Sequence, residues 1–441
     1  MPPPPEIEVA NFDVAIPAGN YDDSILGKTL RVARKLATFA GPGYLIAVGY
    51  MDPGNWATDI AGGSKLGYAL LPAILISNFV AMFLQWLALR LGIATGRDLA
   101  QICRDRFSPN VARILWLACE VAIVACDLAE VIGTAIALQL LFHLPLAAGV
   151  ILTSLDTLLL MGLQKCGFRY VEAFVIAVTA IIAVCFGFEM MCCGPSGTGI
   201  MSSLAPSANI LTNPDALYIA IAIFGATVMP HNLYLHSSIA QTRVRDRSVH
   251  GRRDAIRYST IDCFTALTFA LLINAAILIL AAAAFYASGH TAVAEIQDAY
   301  RLLSPLLGVG LASVLFAVAL LAAGQNSTLT GTMAGQIVME GFLNLKMNPF
   351  VRRLLTRGLA IIPAAIAAIV AGDRGTSQLL ILSQVVLSAQ LGFAVIPLVM
   401  FTSDKKIMGE FVNSRFTAMC GYLLGAAIVG VNAWLIVEAF M

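Results

Sequence analysis

Charge is what this sequence has least of: Asp, Glu, Lys and Arg together make up 12% of its 441 residues, about half of what soluble domains carry. With 59% hydrophobic residues and a mean hydropathy of +0.83, that shortage excludes an ordinary soluble globular protein. The formal net charge is +1, and no basic tail or aromatic-basic stripe is present, which excludes nucleic acid as a partner. Histidine is scarce too, with five in the chain and none in His-Glu-x-x-His spacing. No Ser or Cys nucleophile pairs with a histidine, so an intramembrane metallohydrolase, or any enzyme, is not expected. The nine cysteines are scattered without zinc-type pairs. No resident cofactor is expected. The opening Met1-Pro2-Pro3-Pro4-Pro5 lacks the basic start and apolar core of a signal peptide.

What is present is a series of apolar runs long enough to cross a bilayer. They lie near 41–64, 69–93, 111–142, 144–163, 171–191, 216–240, 259–287, 305–341, 355–371, 377–401 and 417–440, eleven in all. Residues 1–40 read as a cytoplasmic tail, 41–401 as the main transmembrane domain and 402–441 as an added eleventh helix. With the N-terminus inside, all of the 27 Lys and Arg residues except Lys65, Arg301 and Arg374 fall on inner segments. This asymmetry supports both the count and the orientation of a multi-pass plasma-membrane protein, N-terminus cytoplasmic and C-terminus outside, while the short N-tail and the absence of long extracellular loops lean toward a bacterial inner membrane.

Two of the runs are broken. In the first, Gly49-Tyr50-Met51-Asp52-Pro53-Gly54-Asn55 places a carboxylate, a proline and two glycines where a continuous helix would be apolar. Such a segment is tolerated in lipid only where it lines a cavity or binds something. One half-helix ends near Gly49, and a second starts with Asp52 as N-cap and Pro53 at its first position. In the sixth run, Phe224-Gly225-Ala226-Thr227-Val228-Met229-Pro230 repeats the pattern, with Pro230 restarting a helix. Each proline alone is compatible with a simple kink. Two breaks at matching places in 41–191 and 216–401 point to inverted five-helix repeats with a midplane site. The expected architecture is an all-α polytopic membrane protein of LeuT type, with helices 1 and 6 discontinuous.

Asp52, Asn55, the Ala226 carbonyl and the Met229 thioether combine hard oxygens with one soft sulfur. Oxygens alone would serve Mg²⁺ or Ca²⁺. A thioether favours an intermediate transition-metal ion such as Mn²⁺ or Fe²⁺. Asp52-Pro53-Gly54-Asn55 and Met229-Pro230-His231-Asn232, with Ala226 ahead of the methionine, resemble the paired signatures of the Nramp family of proton-coupled divalent-metal transporters. Gly324-Gln325-Asn326-Ser327-Thr328-Leu329-Thr330-Gly331-Thr332-Met333-Ala334-Gly335-Gln336, continuing to Met339-Glu340-Gly341-Phe342, resembles the family's eighth-span block. The resemblance runs from about residue 38 to residue 402. It implies Asp52, Asn55, Ala226 and Met229 as metal ligands, joined in some states by the Gly49 carbonyl and Gln384. One departure is Gly392, where many members have proline, which bears on how span ten bends.

The third run adds Glu120, Asp127 and Glu130, at offsets of seven and three, which fall within a helical sector of about 80°. Arg243 and Arg357 are their candidate counter-charges, and His231 lies near the binding site. Two readings stand: a proton relay, which the resemblance assigns to these positions, or a static salt-bridge network that locks the inner gate. His236 is assigned a structural role, and Asp156 and Asp262 none. The expected function is proton-coupled import of Mn²⁺, with Fe²⁺, by a monomer in the lipid bilayer. The rivals are a LeuT-type cation symporter for an organic substrate and an Nramp-related magnesium carrier.

Overall fold

The computed structural model describes residues 41–165, 168–205, 209–291, 293, 295–370 and 372–439. The expected tail at 1–40 lies outside them. Among the described residues the regular structure is entirely helical. Among the described residues, nine helical stretches are long and apolar enough to cross a membrane. One of them, 53–95, holds two spans separated by the tight turn Gly67–Leu70, and Leu146–Lys165 is a further apolar helix, which brings the spans to the expected eleven.

In order, the spans are Pro42–Gly49 with Pro53–Leu66, Leu71–Thr95, Pro109–Phe142, Leu146–Lys165, Phe168–Cys193, Pro214–Thr227 with Pro230–Ile239, Val249–Ala281, Ala312–Leu343, Pro349–Val370, Gly372–Thr402 and Arg415–Ala439. Local chemistry sets many of their starts. Ser108 caps the third by accepting from Val111 N, with Pro109 in its first turn. Ser248 caps the seventh by accepting from Gly251 N, so that helix begins at Val249, ten residues before the apolar run at 259.

The run expected at 305–341 is two elements. A separate helix, Ile296–Leu307, ends at Gly308, whose φ of 68° is left-handed, and the eighth span starts only at Ala312. Hydropathy runs straight across this corner because the residues on both sides are apolar. A glycine able to take positive φ makes the turn.

The third span is packed by the eighth and tenth, while the seventh lies along both halves of the first. Trp56, in the second half of span one, sits with its ring centroid 4.8 Å from Phe186 and 5.2 Å from Phe316, both edge-on. It ties spans one, five and eight together beside the break. Gly133 of span three abuts Pro53, a contact that any Cβ would prevent. The half-helices of spans one and six also pack on each other, Pro214–Thr227 along Pro53–Leu66 and Pro230–Ile239 along Pro42–Gly49, which sets the two breaks side by side.

Candidate metal site at the helix breaks

Breaking a helix frees carbonyls, and at the first break each finds a defined partner. The half-helix tightens at its end, where Tyr50 N donates to Ala47 O at 3.1 Å and Met51 N to Val48 O at 3.0 Å. Beyond that turn, the Tyr50 carbonyl accepts from Asn274 Nδ2 at 2.7 Å and the Met51 carbonyl from Trp56 Nε1 at 3.2 Å. Asp52 caps the next half-helix in extended conformation (φ −69°, ψ 163°), accepting from Asn55 N at 2.8 Å.

The Asn55 amide occupies the centre. Its Nδ2 lies 2.7 Å from Asp52 Oδ1, 3.4 Å from the Gly49 carbonyl and 3.3 Å from the Ala226 carbonyl of the second break. One amide group with two hydrogens is thus surrounded by three acceptor oxygens. The second carboxylate oxygen, Asp52 Oδ2, is buried with no hydrogen-bond partner. A cation would satisfy this set better than an amide does. A half-turn of the Asn55 side chain would add its own oxygen to the shell.

Met229 stands at the second break in extended conformation (φ −73°, ψ 119°), just before Pro230. A Cβ on Gly49 would collide with Asn232 Nδ2 and stand 3.1 Å from Met229 Sδ, so the backbone of the first break touches the side chains of the second. Gln384 comes in from span ten against Gly54, where only a hydrogen fits. Its Nε2 donates to Ser383 Oγ at 2.9 Å and its Oε1 is unpartnered, so it borders the cluster without bonding to it. Asp52, Ala226, Met229 and Gln384 are fully buried and Asn55 is 2% exposed, so the site is closed on both sides. Among the described residues no three His, Cys, Asp or Glu side chains gather as a metal cluster. The candidate ligands are instead one carboxylate, one amide, two carbonyls and a thioether.

The third-span carboxylates face span nine. Asp127 Oδ1 lies 2.6 Å from Arg353 Nη1, and Glu130 Oε2 lies 3.2 Å from both Arg353 Nη2 and Arg357 Nη1. Glu120 pairs with Arg352 at 2.7 Å. Gly331 of span eight makes room for the pair, since a Cβ there would stand 2.9 Å from Glu130 Oε1. Arg357 therefore meets Glu130 as expected, but Arg243 does not join the third-span acids. It pairs with Glu172 of span five, because the end of span six comes down beside spans five and seven rather than beside span nine. His231 is buried beside the break with its Nδ1 unpartnered. His236 meets Gln85 Oε1 at 2.9 Å, and Gln85 donates to the Tyr50 hydroxyl at 3.0 Å.

Arg352, Arg353 and Asp59 were not among the candidates in the sequence, and Asp262 had no role there. Arg352 and Arg353 counted there only as inner-loop charges. Arg353 and Arg357, four apart on one helix face, match an acid pair three apart, and that spacing was the available signal. Asp262 accepts from Gly41 N at 3.2 Å and Gly43 N at 2.7 Å, placing a negative charge at the N-terminus of the first half-helix. Asp59, in the second half of span one, is 2% exposed and its Oδ2 is unpartnered.

A sequence-family model for natural resistance-associated macrophage protein-like (Nramp) chains matches residues 43–438. The divalent metal cation transporter MntH of Nostoc sp. is 60% identical over 406 residues, covering 92% of both chains. The protein of the same name from Bradyrhizobium diazoefficiens is 59% identical over 408 residues, covering 92% of this chain and 91% of the relative. Among solved structures, the Eremococcus coleocola manganese transporter in complex with an aromatic bis-isothiourea substituted compound superposes with a TM-score of 0.85 at 39% identity, covering 91% of this chain and 86% of that one. A nucleobase-cation-symport-1 family transporter in a closed conformation superposes with a TM-score of 0.61 at 13% identity, covering 89% of each chain, a likeness of fold alone.

Proposed function

The chain belongs to the Nramp family, and from that premise we propose that it carries Mn²⁺, and Fe²⁺ by the same ligands, into the cell together with a proton. Divalent metal transport is what its relatives' names state. The observation that carries the finer reading is the meeting of Asp52, Asn55 and the Gly49 and Ala226 carbonyls around one point, with Met229 at its edge.

The ion takes the place now held by the Asn55 amide hydrogens. Asp52 supplies charge through its unpartnered oxygen, and the carbonyls replace part of the hydration shell. Met229 supplies the soft contact that Ca²⁺ and Mg²⁺ use poorly. Alternating access follows from rocking of the half-helices about the two breaks. The density of Lys and Arg on alternate loops sets the cytoplasmic side at the N-terminus. Both breaks lie in one chain, so a monomer suffices.

A proton displaced from Asp52 by the arriving charge has His231 and the Asp127–Glu130 pair as its next acceptors. That pair, with Arg353 and Arg357, forms a cluster of two negative and two positive groups. A proton on either acid leaves the cluster with excess positive charge and loosens the Arg353 bridge. Relay and lock are then the same device in two protonation states.

The test is Mn²⁺ uptake into proteoliposomes with internal pH recorded, for wild type, Asp52→Asn and Met229→Ala, with and without excess external Ca²⁺ or Mg²⁺. Wild type acidifies the lumen and ignores the excess, Asp52→Asn is inactive, and Met229→Ala becomes sensitive to the competing ion. Full transport by Asp52→Asn would sink the ligand assignment. Equal sensitivity of wild type and Met229→Ala would turn the reading toward a magnesium carrier. Uptake without lumenal acidification would remove the proton.

A further inference from the structure

Span eleven follows the two five-helix repeats and lies mainly along span ten. Much of its surface is open to lipid, with Phe416, Met419, Leu423 and Val429 all exposed. Asn432 interrupts this apolar helix, and it is the one buried polar side chain of span eleven among the described residues. Its amide closes a ring with Ser388 of span ten. Nδ2 donates to the Ser388 carbonyl at 2.8 Å, and Ser388 Oγ donates to Oδ1 at 3.2 Å. Both ends of the amide are thus satisfied, as a polar group at membrane depth requires. Packing of apolar side chains could hold two helices together in lipid without an amide. A reciprocal pair of hydrogen bonds does something more, because it fixes a single register between them.

Ser388 is one turn beyond Gln384, and the second break rests on that turn of span ten. Gly225, the residue before Ala226, has no room for a side chain. A Cβ there would run into the Gln384 carbonyl and would stand 2.7 Å from Ser388 Cβ and 2.9 Å from Ser388 N. Gly54 of span one meets the Gln384 side chain on the same turn. The Ala226 carbonyl, 3.3 Å from Asn55 Nδ2, therefore takes its position from a backbone seated directly on Ser388. Contacts run without a gap from Asn432 through Ser388 and Gly225 to a candidate ligand. A ligand shell is only as well placed as the groups that support it.

We propose that Asn432 is a positioning residue of the cargo site. It pins Ser388, and with it the turn of span ten against which Gln384 and the Ala226 carbonyl are placed. Span eleven is then a brace for the metal ligands, although it supplies none itself. This rests on the metal-transport reading above.

Asn432→Leu keeps most of the volume and removes both bonds. In proteoliposomes its KM for Mn²⁺ should rise about three- to tenfold, the loss expected when hydrogen bonds between membrane helices no longer hold the site. Vmax per folded transporter should change less than KM. Ser388→Ala removes the hydroxyl bond but keeps the carbonyl and the contact with Gly225, and its KM should rise about twofold. Because both variants act through one clamp, the double variant should have the KM of Asn432→Leu rather than the product of the two effects. A clamp that serves only to hold span eleven in place would lower the thermal midpoint of Asn432→Leu and leave the KM of the folded protein at its wild-type value, which overturns the proposal. Multiplicative effects of the two substitutions overturn it as well. If Asn432→Leu does not fold, Ser388→Ala decides alone, and a wild-type KM there counts against the clamp. A wild-type protein inert to Mn²⁺ would bring down the transport reading itself, and the brace with it.

Discussion

Gly49 shows how little room the site leaves. Its carbonyl is one of the oxygens around Asn55, and its missing side chain is where Asn232 and the Met229 sulfur come in from the other break. Its place at the end of a half-helix needs no special backbone angle, so the requirement is purely one of space. Gly49→Ala is expected to push Met229 and Asn232 outward and lower Mn²⁺ uptake at least tenfold, while the folded protein persists because the change affects one contact. Uptake and thermal midpoint measured on the same preparation separate the two effects. Gly54 against Gln384 and Gly331 against Glu130 follow the same rule, which gives a physical reason for glycines in these two motifs.

Among the elements, the short helix Leu99–Arg106 joins spans two and three outside the membrane. Asp98 and Gln101 cap it reciprocally. Leu99 N also donates to Ser237 Oγ at 2.9 Å, which docks this helix on the end of span six. Burial pushes the Asp98 carboxyl up from the ordinary 3.8 to about 6, with the helix amides and Arg104 and Arg97 pulling the other way. In the window between those two values the folded protein holds a proton that the unfolded chain has released. Stability from this group therefore falls as pH rises from about 4 to about 6 and is level above. Asp98→Asn keeps a cap and removes the titration. The stability gap between variant and wild type should widen by about 2 to 3 kcal/mol across that window, read from thermal midpoints at several pH values. A constant gap would show that Asp98 does not titrate there.

For the whole molecule, the spans and the breaks were legible in the sequence because each has a local cause. Pro53 and Pro230 each restart a helix, Asp52 is a cap, and hydropathy marks the stretches that lipid will accept. The gathering of Asp52, Asn55, Gly49 and Ala226 followed once two breaks were placed at matching points of two repeats. What could not be read depends on how distant helices lie in register. Arg243 looked as available to the third-span acids as Arg357, and only the packing of span nine on span three separates them. Asp59, a carboxylate inside the first apolar run, carried a signal in its place alone, but what surrounds it depends on helices distant in the chain. The corner at Gly308 was missed because it lies between two apolar stretches.

The position of Trp56 has an optical consequence. Its indole donates to the carbonyl of Met51 at the break, and its ring is wedged between Phe186 and Phe316. Any rearrangement of the first half-helices against spans five and eight must change the surroundings of that one chromophore, in a chain with four tryptophans. Mn²⁺ titration should alter the tryptophan emission of the wild-type protein, and Trp56→Phe should abolish most of that change while leaving the emission of the others intact. An equal response from both would mean that the break stays rigid when the ion arrives. The hydrogen bond that closes the gap in span one thus doubles as a built-in fluorescent reporter of the transport cycle.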